Sequence, residues 1–247
     1  MIGYLRVVAA ALMGAAALPT GAQTYGDTLV ATIAAAHPDV TAIEINATGS
    51  DGNAIRISWG TTVGASSSAS LNDAAGEPIG TITITGRKLV DARLLARAVS
   101  RRIYVADNLA EPDPFVAGSE RSVRGQALVD AAIDANADLI TLAMHVALPG
   151  ADNRIIASNF GRIGKAADKD DADVITNGSV HREVTSGGRR LAVELPMLDT
   201  RRRVIGALST SFSMTATRDE ARALTRAIAV RDALARRIPA LSWLAGR

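Results

Sequence analysis

One stretch of the sequence occurs twice, first as His37-Pro-Asp-Val-Thr-Ala-Ile43 and about a hundred residues later as Asn136-Ala-Asp-Leu-Ile-Thr-Leu142. The two versions align without a gap. Further along, Asn53-Ala-Ile-Arg-Ile-Ser58 aligns in the same way with Asn153-Arg-Ile-Ile-Ala-Ser158. A long internal period of this kind indicates two copies of a domain rather than a solenoid of small units.

A third match extends the repeat toward the end of each copy. Five residues separate Asp73 from Ile79-Gly80, and five residues separate Asp199 from Ile205-Gly206. In each copy a helix rich in Ala, Leu and Arg is predicted to follow. Three matches in one order, with loops of different length between them, predict two tandem modules.

The predicted modules cover residues 25–110 and 125–247. Residues 111–124 are predicted to be a linker, because their prolines and polar side chains cannot continue a helix. Apolar periodicity predicts the elements of the first module as helix 25–36, strands 40–47, 54–59 and 78–85, and helix 89–104. It predicts those of the second module as helix 127–135, strands 139–147, 154–158, 190–195 and 203–212, and helix 217–238.

Two segments lack a clear period and are predicted to be irregular. The Ser/Ala-rich stretch 64–70 is typical of a flexible connection. The longer polar insert 165–180 takes its place in the second copy, and its acidic run Asp168-Lys-Asp-Asp-Ala-Asp173 is expected to be a solvated loop. The whole pattern predicts an α+β fold, in which each module is an antiparallel sheet flanked by helices.

The second copy resembles a known family. Asp152-Asn-Arg-Ile-Ile-Ala-Ser158 followed by Ile163-Gly-Lys165 is similar to a turn, strand and Ile/Val-Gly-Lys step of the PAS-like extracellular sensor modules called Cache domains. The segment from Leu195-Pro-Met-Leu-Asp199 to Val204-Ile-Gly-Ala-Leu208 is similar to their closing hairpin. The resemblance implies a tandem Cache arrangement and a ligand site between the central strands and the irregular middle segment. It implies no particular ligand, since the Tyr, Trp and Asp pattern with which some double-Cache proteins bind amino acids is missing.

The N-terminus is typical of an export signal. Arg6 supplies a positive charge, residues 7–18 form an apolar run, and Pro19-Thr-Gly-Ala22 suits cleavage before Gln23. The apolar run is shorter than the roughly 20 residues that span a bilayer as a helix. We therefore expect residues 1–22 to be removed and the mature protein to be soluble and either periplasmic or secreted. A retained N-terminal membrane anchor is the alternative.

Composition excludes several classes of protein. The chain has no cysteine, which excludes disulfides, thiol catalysis and Cys-based metal centres. Its arginine runs, such as Arg101-Arg102 and Arg201-Arg-Arg203, have no aromatic residues between them. We therefore expect no nucleic acid among the partners.

The sequence suggests neither a metal site nor a catalytic centre. The histidines, His37, His145 and His181, are far apart and show no ligand spacing; His145 in its apolar strand is typical of a core histidine. The run that starts at Asp168 fails the EF-hand pattern, with Ser179 where a bidentate glutamate belongs. No acid–base pair or nucleophile–base set can be assembled from the spacings. We expect no enzyme activity, no cofactor and no metal.

The remaining hypothesis is a small-molecule pocket at the strand ends and the insert. Cationic groups there would suit a carboxylate or other small anion, because guanidinium groups match planar oxyanions. The candidate ligand-binding residues are Arg154, Ser158, Asn159, Lys165, His181 and Asp199 in the second copy and Arg56 and Trp59 in the first.

Two functions remain open. The protein is expected to be an exported sensor-type binder of a small molecule, acting as a free receptor or as an accessory subunit of a membrane protein. Alternatively it is a periplasmic interaction or scaffold protein with the same duplicated fold and filled pockets. Scarce aromatic residues and many small apolar ones favour the second version. The two differ in whether Arg154, Asn159 and Asp199 converge on a cavity.

Overall fold

The computed structural model of the protein describes residues 23–214 and 219–246. The chain divides between Pro114 and Phe115 into two compact units, which we call unit 1 and unit 2. The predicted signal peptide, residues 1–22, lies outside the described residues. Within the described ranges, no helix combines the length and the hydrophobicity needed to cross a bilayer.

Over residues 23–114, unit 1 is a four-stranded antiparallel sheet with two α-helices. Its elements are α1 (Tyr25–Ala36), β1 (Val40–Thr48), β2 (Ala54–Gly60), β3 (Ala65–Asn72), β4 (Pro78–Gly86) and α2 (Ala92–Ser100), followed by a 3-10 turn (Ala106–Ala110). The strand order is β2-β1-β4-β3. Thr24 begins α1 through a capping box with Asp27, in which each side chain bonds the other residue's backbone N–H.

Unit 2 is a five-stranded antiparallel sheet with four helices among its described residues. Its elements are α3 (Val123–Ala135), β5 (Leu139–Ala147), β6 (Asn153–Ser158), α4 (Lys169–Asn177), β7 (His181–Thr185), β8 (Arg190–Leu198), β9 (Val204–Ser213), α5 (Asp219–Ala235) and α6 (Leu241–Leu244). The strand order is β6-β5-β9-β8-β7. These two antiparallel sheets with their helices confirm the predicted α+β fold of two modules.

The matched sequences occupy matching places in the two sheets. The order β2-β1-β4-β3 corresponds strand for strand to β6-β5-β9-β8, and unit 2 adds α4 and β7. Asp73 and Asp199 open equivalent turns: in each, Oδ1 accepts from the backbone N–H groups two and four residues ahead, at 2.8 and 3.0 Å. Shared topology and shared turn geometry are what a duplicated domain would produce.

The Ser/Ala-rich stretch is a strand, so the prediction of a flexible connection over 64–70 was wrong. This stretch is β3, and it pairs with β4 along its whole length. Ser66 and Ser68 form hydroxyl–hydroxyl hydrogen bonds with Thr85 (2.8 Å) and Thr83 (2.9 Å). Such cross-strand pairs stabilise a sheet even where intrinsic strand propensity is low.

The polar insert is also ordered, and the prediction of a solvated loop at its acidic run was wrong. Asp168 forms the N-cap of α4 and shares a capping box with Asp171. Gly178 ends the helix in the left-handed conformation, with φ at 66°. Acidic side chains in the first turn of a helix are favoured by the helix dipole. The run therefore begins a helix rather than a loop.

The sheet of unit 2 has two different faces. One face carries large apolar side chains, which pack against α3 and α5 and form the main core. The other face carries mostly small or polar side chains and contacts α4 through β8 and β9. The side chains of this second face, called the α4 face below, come from Thr141, Ala143, His145, Ile155, Ala192, Glu194, Pro196, Ala207, Ser209 and Ser211.

The predicted linker is divided between the two units. Glu111 accepts a hydrogen bond from Tyr25 N (2.8 Å), and Asp113 N donates to Gln23 O (2.8 Å), so this part belongs to unit 1. Ser122 N donates to Ile156 O (2.8 Å) in unit 2. The division between the units falls inside the predicted linker, 111–124.

Candidate ligand cleft and carboxylate cluster in unit 2

The eight predicted ligand-binding residues do not converge on one site. Arg56 and Trp59 belong to unit 1, where Arg56 is exposed on β2 and Trp59 packs against the core of that unit. In unit 2, Arg154 borders a cleft and His181 lies beside a cluster of carboxylates. Ser158, Asn159 and Asp199 bond the backbone of unit 2 through their side chains, and Lys165 does so through its backbone carbonyl.

Ser158 and Asn159 are buried structural residues at the end of β6. Asn159 Oδ1 accepts from Leu142 N (2.8 Å), and its Nδ2 donates to Ile140 O (2.9 Å), so its amide joins the chain after β6 to β5. The Ser158 hydroxyl donates to Gly161 O and shapes the turn that follows. Both side chains therefore form hydrogen bonds with backbone groups of unit 2.

The Asp199 side chain holds a turn, whereas Lys165 takes part only through its backbone. Asp199 is fully buried and accepts from the backbone N–H groups of Arg201 and Arg203 and from Arg203 Nε at 2.7 Å. Burial raises the pKa of Asp199, but these hydrogen bonds and the charge of Arg203 outweigh it and hold that pKa below its usual value. Asp199 also borders a recess of about 270 Å³. Lys165 bonds Ile155 N through its backbone carbonyl at 2.9 Å.

The cleft lies along β6 in unit 2 and has a volume of about 700 Å³. The apolar residues Val146, Leu148, Ile155 and Ile156 line it, of which Val146, Ile155 and Ile156 are buried in the cores and expose little surface, and Arg154 lines it from β6. Small-molecule sites commonly have volumes of roughly 300–1,000 Å³ and combine apolar walls with a few polar groups. The cleft has the size and the lining of a small-molecule site.

Three charged side chains border the cleft: Arg154, Asp152 and Glu120. Arg154 Nη1 donates to Gly164 O at 3.3 Å, and Nη2 lies 3.5 Å from Asp152 Oδ2. Both contacts are long, and the Asp152 side chain is 87% exposed. Because a guanidinium has five N–H donors and exposed ion pairs are weak, Arg154 is available to a stronger acceptor.

A second group of polar side chains lies on the α4 face. Asp168 and Asp171 from the start of α4 and Glu194 from β8 each place a carboxylate oxygen within 4.8 Å of the other two. Asp171 Oδ2 lies 2.9 Å from Nδ1 of His145, and Ser209 Oγ donates to Asp171 Oδ1 at 3.4 Å. We call Asp168, Asp171 and Glu194 the carboxylate cluster.

Proximity of these acids changes their protonation. Burial, together with the charges of Asp171 and Asp168, raises the pKa of Glu194 to about 7. Burial also raises the pKa of Asp171, but the contact with His145 and the N–H of Asp168 outweigh it and leave that pKa below its usual value. The cluster therefore holds a firmly charged Asp171 beside a Glu194 that is easily protonated near neutral pH.

His181 lies at the edge of the same cluster. It is the cross-strand neighbour of Glu194 in the β7–β8 pair, and its Nε2 lies 3.4 Å from Asp170 Oδ2. The imidazole is 40% exposed. His181 is predicted to face the ligand pocket; in the structure it lies beside the carboxylates on β7 and is not part of the lining of the cleft beside Arg154.

The carboxylate cluster and its neighbour His145 were missed as a site by reasoning from the sequence. Two signals were present: the Asp168-Lys-Asp-Asp171 spacing of a capping box, and the isolated acid in the apolar strand Leu191-Ala-Val-Glu-Leu195. Neither signal shows that the two elements meet, because their contact depends on how α4 packs on the sheet.

Comparison with known proteins adds no further constraint on the site. No protein-family model matches the chain, and a search of curated proteins found no match.

Proposed function

We propose that this protein is an exported, sensor-type binder of a small molecule, built of two Cache-like modules, and that unit 2 holds the ligand in the cleft beside Arg154. It acts in the periplasm or outside the cell, as a free receptor or as an accessory subunit of a membrane protein. The observation that carries the proposal is the 700 Å³ cleft with an arginine whose contacts are long.

The ligand is a small carboxylate. A carboxylate can accept two parallel N–H bonds from Arg154, which is a stronger interaction than the 3.5 Å contact with the exposed Asp152. The apolar walls bind the hydrocarbon part of such a ligand.

An ammonium group on the same ligand would strengthen binding. Asp152 and Glu120 place two negative charges at the border of the cleft against the one positive charge of Arg154. A zwitterion presents its carboxylate to the arginine and its ammonium to these acids. Amino acids are therefore the best candidates among small carboxylates.

The test is thermal melting of the purified protein against a panel of monocarboxylates, dicarboxylates and amino acids. A ligand at a hundred times its dissociation constant stabilises the native state by about 2.7 kcal/mol, which shifts melting by several degrees at this size. Dissociation constants of the hits are then measured by calorimetry.

Variants decide whether a hit occupies the cleft. Arg154→Ala removes a charged hydrogen-bonding group worth about 1.5–3 kcal/mol, so affinity should fall roughly 10- to 100-fold. Arg182→Ala is the matched control, since Arg182 is an exposed arginine of the same unit on β7. Asp152→Asn should tighten a monocarboxylate and weaken an amino acid.

Two results would contradict the proposal. Equal affinity of Arg154→Ala and wild type for every hit would place the ligand elsewhere. No shift across the panel would favour the interaction or scaffold function instead.

A further inference from the structure

The carboxylate cluster has the dimensions of a metal site. Its three oxygens, from Asp168, Asp171 and Glu194, all lie within 4.8 Å of one another. Metal–oxygen bonds of about 2.0–2.4 Å place two ligands on opposite sides of one ion roughly 4–5 Å apart. Among the described residues, the charged groups that act most strongly on Glu194 and Asp171 are other acids and His145, with no lysine or arginine among them. A divalent ion would supply the missing positive charge.

Two buried atoms at the cluster support this interpretation independently. The His145 side chain is 7% exposed, and within residues 23–214 and 219–246 its Nδ1 makes no aligned hydrogen bond; it lies 2.9 Å from Asp171 Oδ2, at ion-pair distance. Oε2 of Glu194 is likewise buried and has no hydrogen-bond partner in the part of the chain that the structure describes. Buried polar atoms lacking partners are rare in folded proteins and commonly mark the place of an ion or water.

The position of His145 also suits a ligand. Neighbouring ligand atoms on an ion with bonds of about 2.1 Å are roughly 3 Å apart, which is close to the 2.9 Å between His145 Nδ1 and Asp171 Oδ2. When a metal ion binds, Nδ1 of His145 would exchange its contact with Asp171 for a bond to the ion, as metal-bound imidazoles present a ring nitrogen without its proton. His145 can thus join the carboxylates as the ion draws them together.

We propose that unit 2 binds one divalent metal ion between the start of α4 and strand β8, with Asp168, Asp171 and Glu194 as ligands and His145 beside Asp171. Carboxylate oxygens with an imidazole suit Mn²⁺ and Zn²⁺ better than Mg²⁺ or Ca²⁺, which prefer oxygen alone. The ion ties α4 to the sheet, because Asp168 and Asp171 belong to the helix and Glu194 belongs to β8. This site is separate from the cleft beside Arg154.

Calorimetric titration of the chelator-treated protein with Mn²⁺ and Zn²⁺ tests the proposal. One ion should bind per chain. Glu194→Gln and Asp168→Asn should each weaken binding at least tenfold, since each removes one charged ligand. Glu183→Gln is the matched control, because Glu183 is an exposed carboxylate on the neighbouring β7 and should leave affinity unchanged.

Thermal melting of the chelated proteins checks that the variants fold. Glu194→Gln removes charge repulsion from the empty cluster, so the chelated variant should melt no lower than the chelated wild type. Arg154→Ala should bind the ion as wild type does, which separates this site from the carboxylate cleft. The proposal is overturned if neither ion binds below millimolar concentration, or if both ligand variants bind as tightly as wild type.

Discussion

Replacing Asn159 by alanine should destabilise unit 2 strongly. The side-chain amide of Asn159 accepts a hydrogen bond from Leu142 N at 2.8 Å and donates one to Ile140 O at 2.9 Å, and the residue is 2% exposed. The substitution leaves both backbone groups of β5 without that partner. A buried unsatisfied group costs about 1–3 kcal/mol, so with partial relaxation the loss is about 2–4 kcal/mol. For a unit of this size the melting temperature should fall by about 10 °C.

Tryptophan fluorescence during urea unfolding measures this loss in unit 2 alone. The chain has two tryptophans, Trp59 in unit 1 and Trp243 in unit 2. In a Trp59→Phe background, Trp243 alone reports, and Asn159→Ala should lower the midpoint. Asn177→Ala, an exposed asparagine at the end of α4, serves as the control. If Asn159→Ala unfolds like the control yet loses carboxylate binding, Asn159 is a ligand-binding residue and our structural assignment is refuted.

Three further substitutions test the packing and the protonation of unit 2. Gly206→Ala should lower the free energy of unfolding in urea by about 1–3 kcal/mol, because the added Cβ would lie 2.3 Å from His145 O on the neighbouring strand. An unchanged midpoint would mean that β5 and β9 can move apart at that point without loss of stability. Asp199 has a lowered pKa in the folded state, so its contribution is present above the unfolded pKa and is lost as the pH falls through the folded pKa. Asp199→Asn should therefore flatten the acid limb of the stability–pH curve, and an equally steep limb would argue against it. Glu194 has a folded pKa of about 7, raised from 4.5, so the chelated wild type should lose stability as the pH rises across that interval. After a discount for partial exposure the loss is about 1–2 kcal/mol, and Glu194→Gln should not show it; parallel curves for the two proteins would contradict the raised pKa.

The regular elements were predictable wherever the apolar pattern was strong. Helix α1 and strand β5 begin and end at the residues that periodicity predicts, because each buries a well-marked set of side chains. Strand β3 was not predictable, since its serines carry little strand propensity of their own. It exists because β4 offers it a partner, and that pairing is a property of the folded unit.

The candidate sites were predictable only in part. Arg154 was singled out as a cation next to a turn, and it does border a cleft. The sequence predicts Asn159 at the end of the same strand and Asp199 as a residue that closes the pocket, but both side chains hydrogen-bond backbone groups instead. Asp171 and Glu194 lie far apart in sequence and meet through the docking of α4 on β8, which no local pattern encodes.

The two unlike faces of the unit 2 sheet have a consequence for how this protein can diversify. Successive residues of one strand are limited by different packing. Val193, for example, packs in the main core, whereas Glu194 faces α4. Substitutions on the α4 face leave the main core on the opposite side untouched, although Ala143 also packs against Ile155 and Ile163. The charge of the carboxylate cluster can therefore change by single substitutions while the main core keeps its packing.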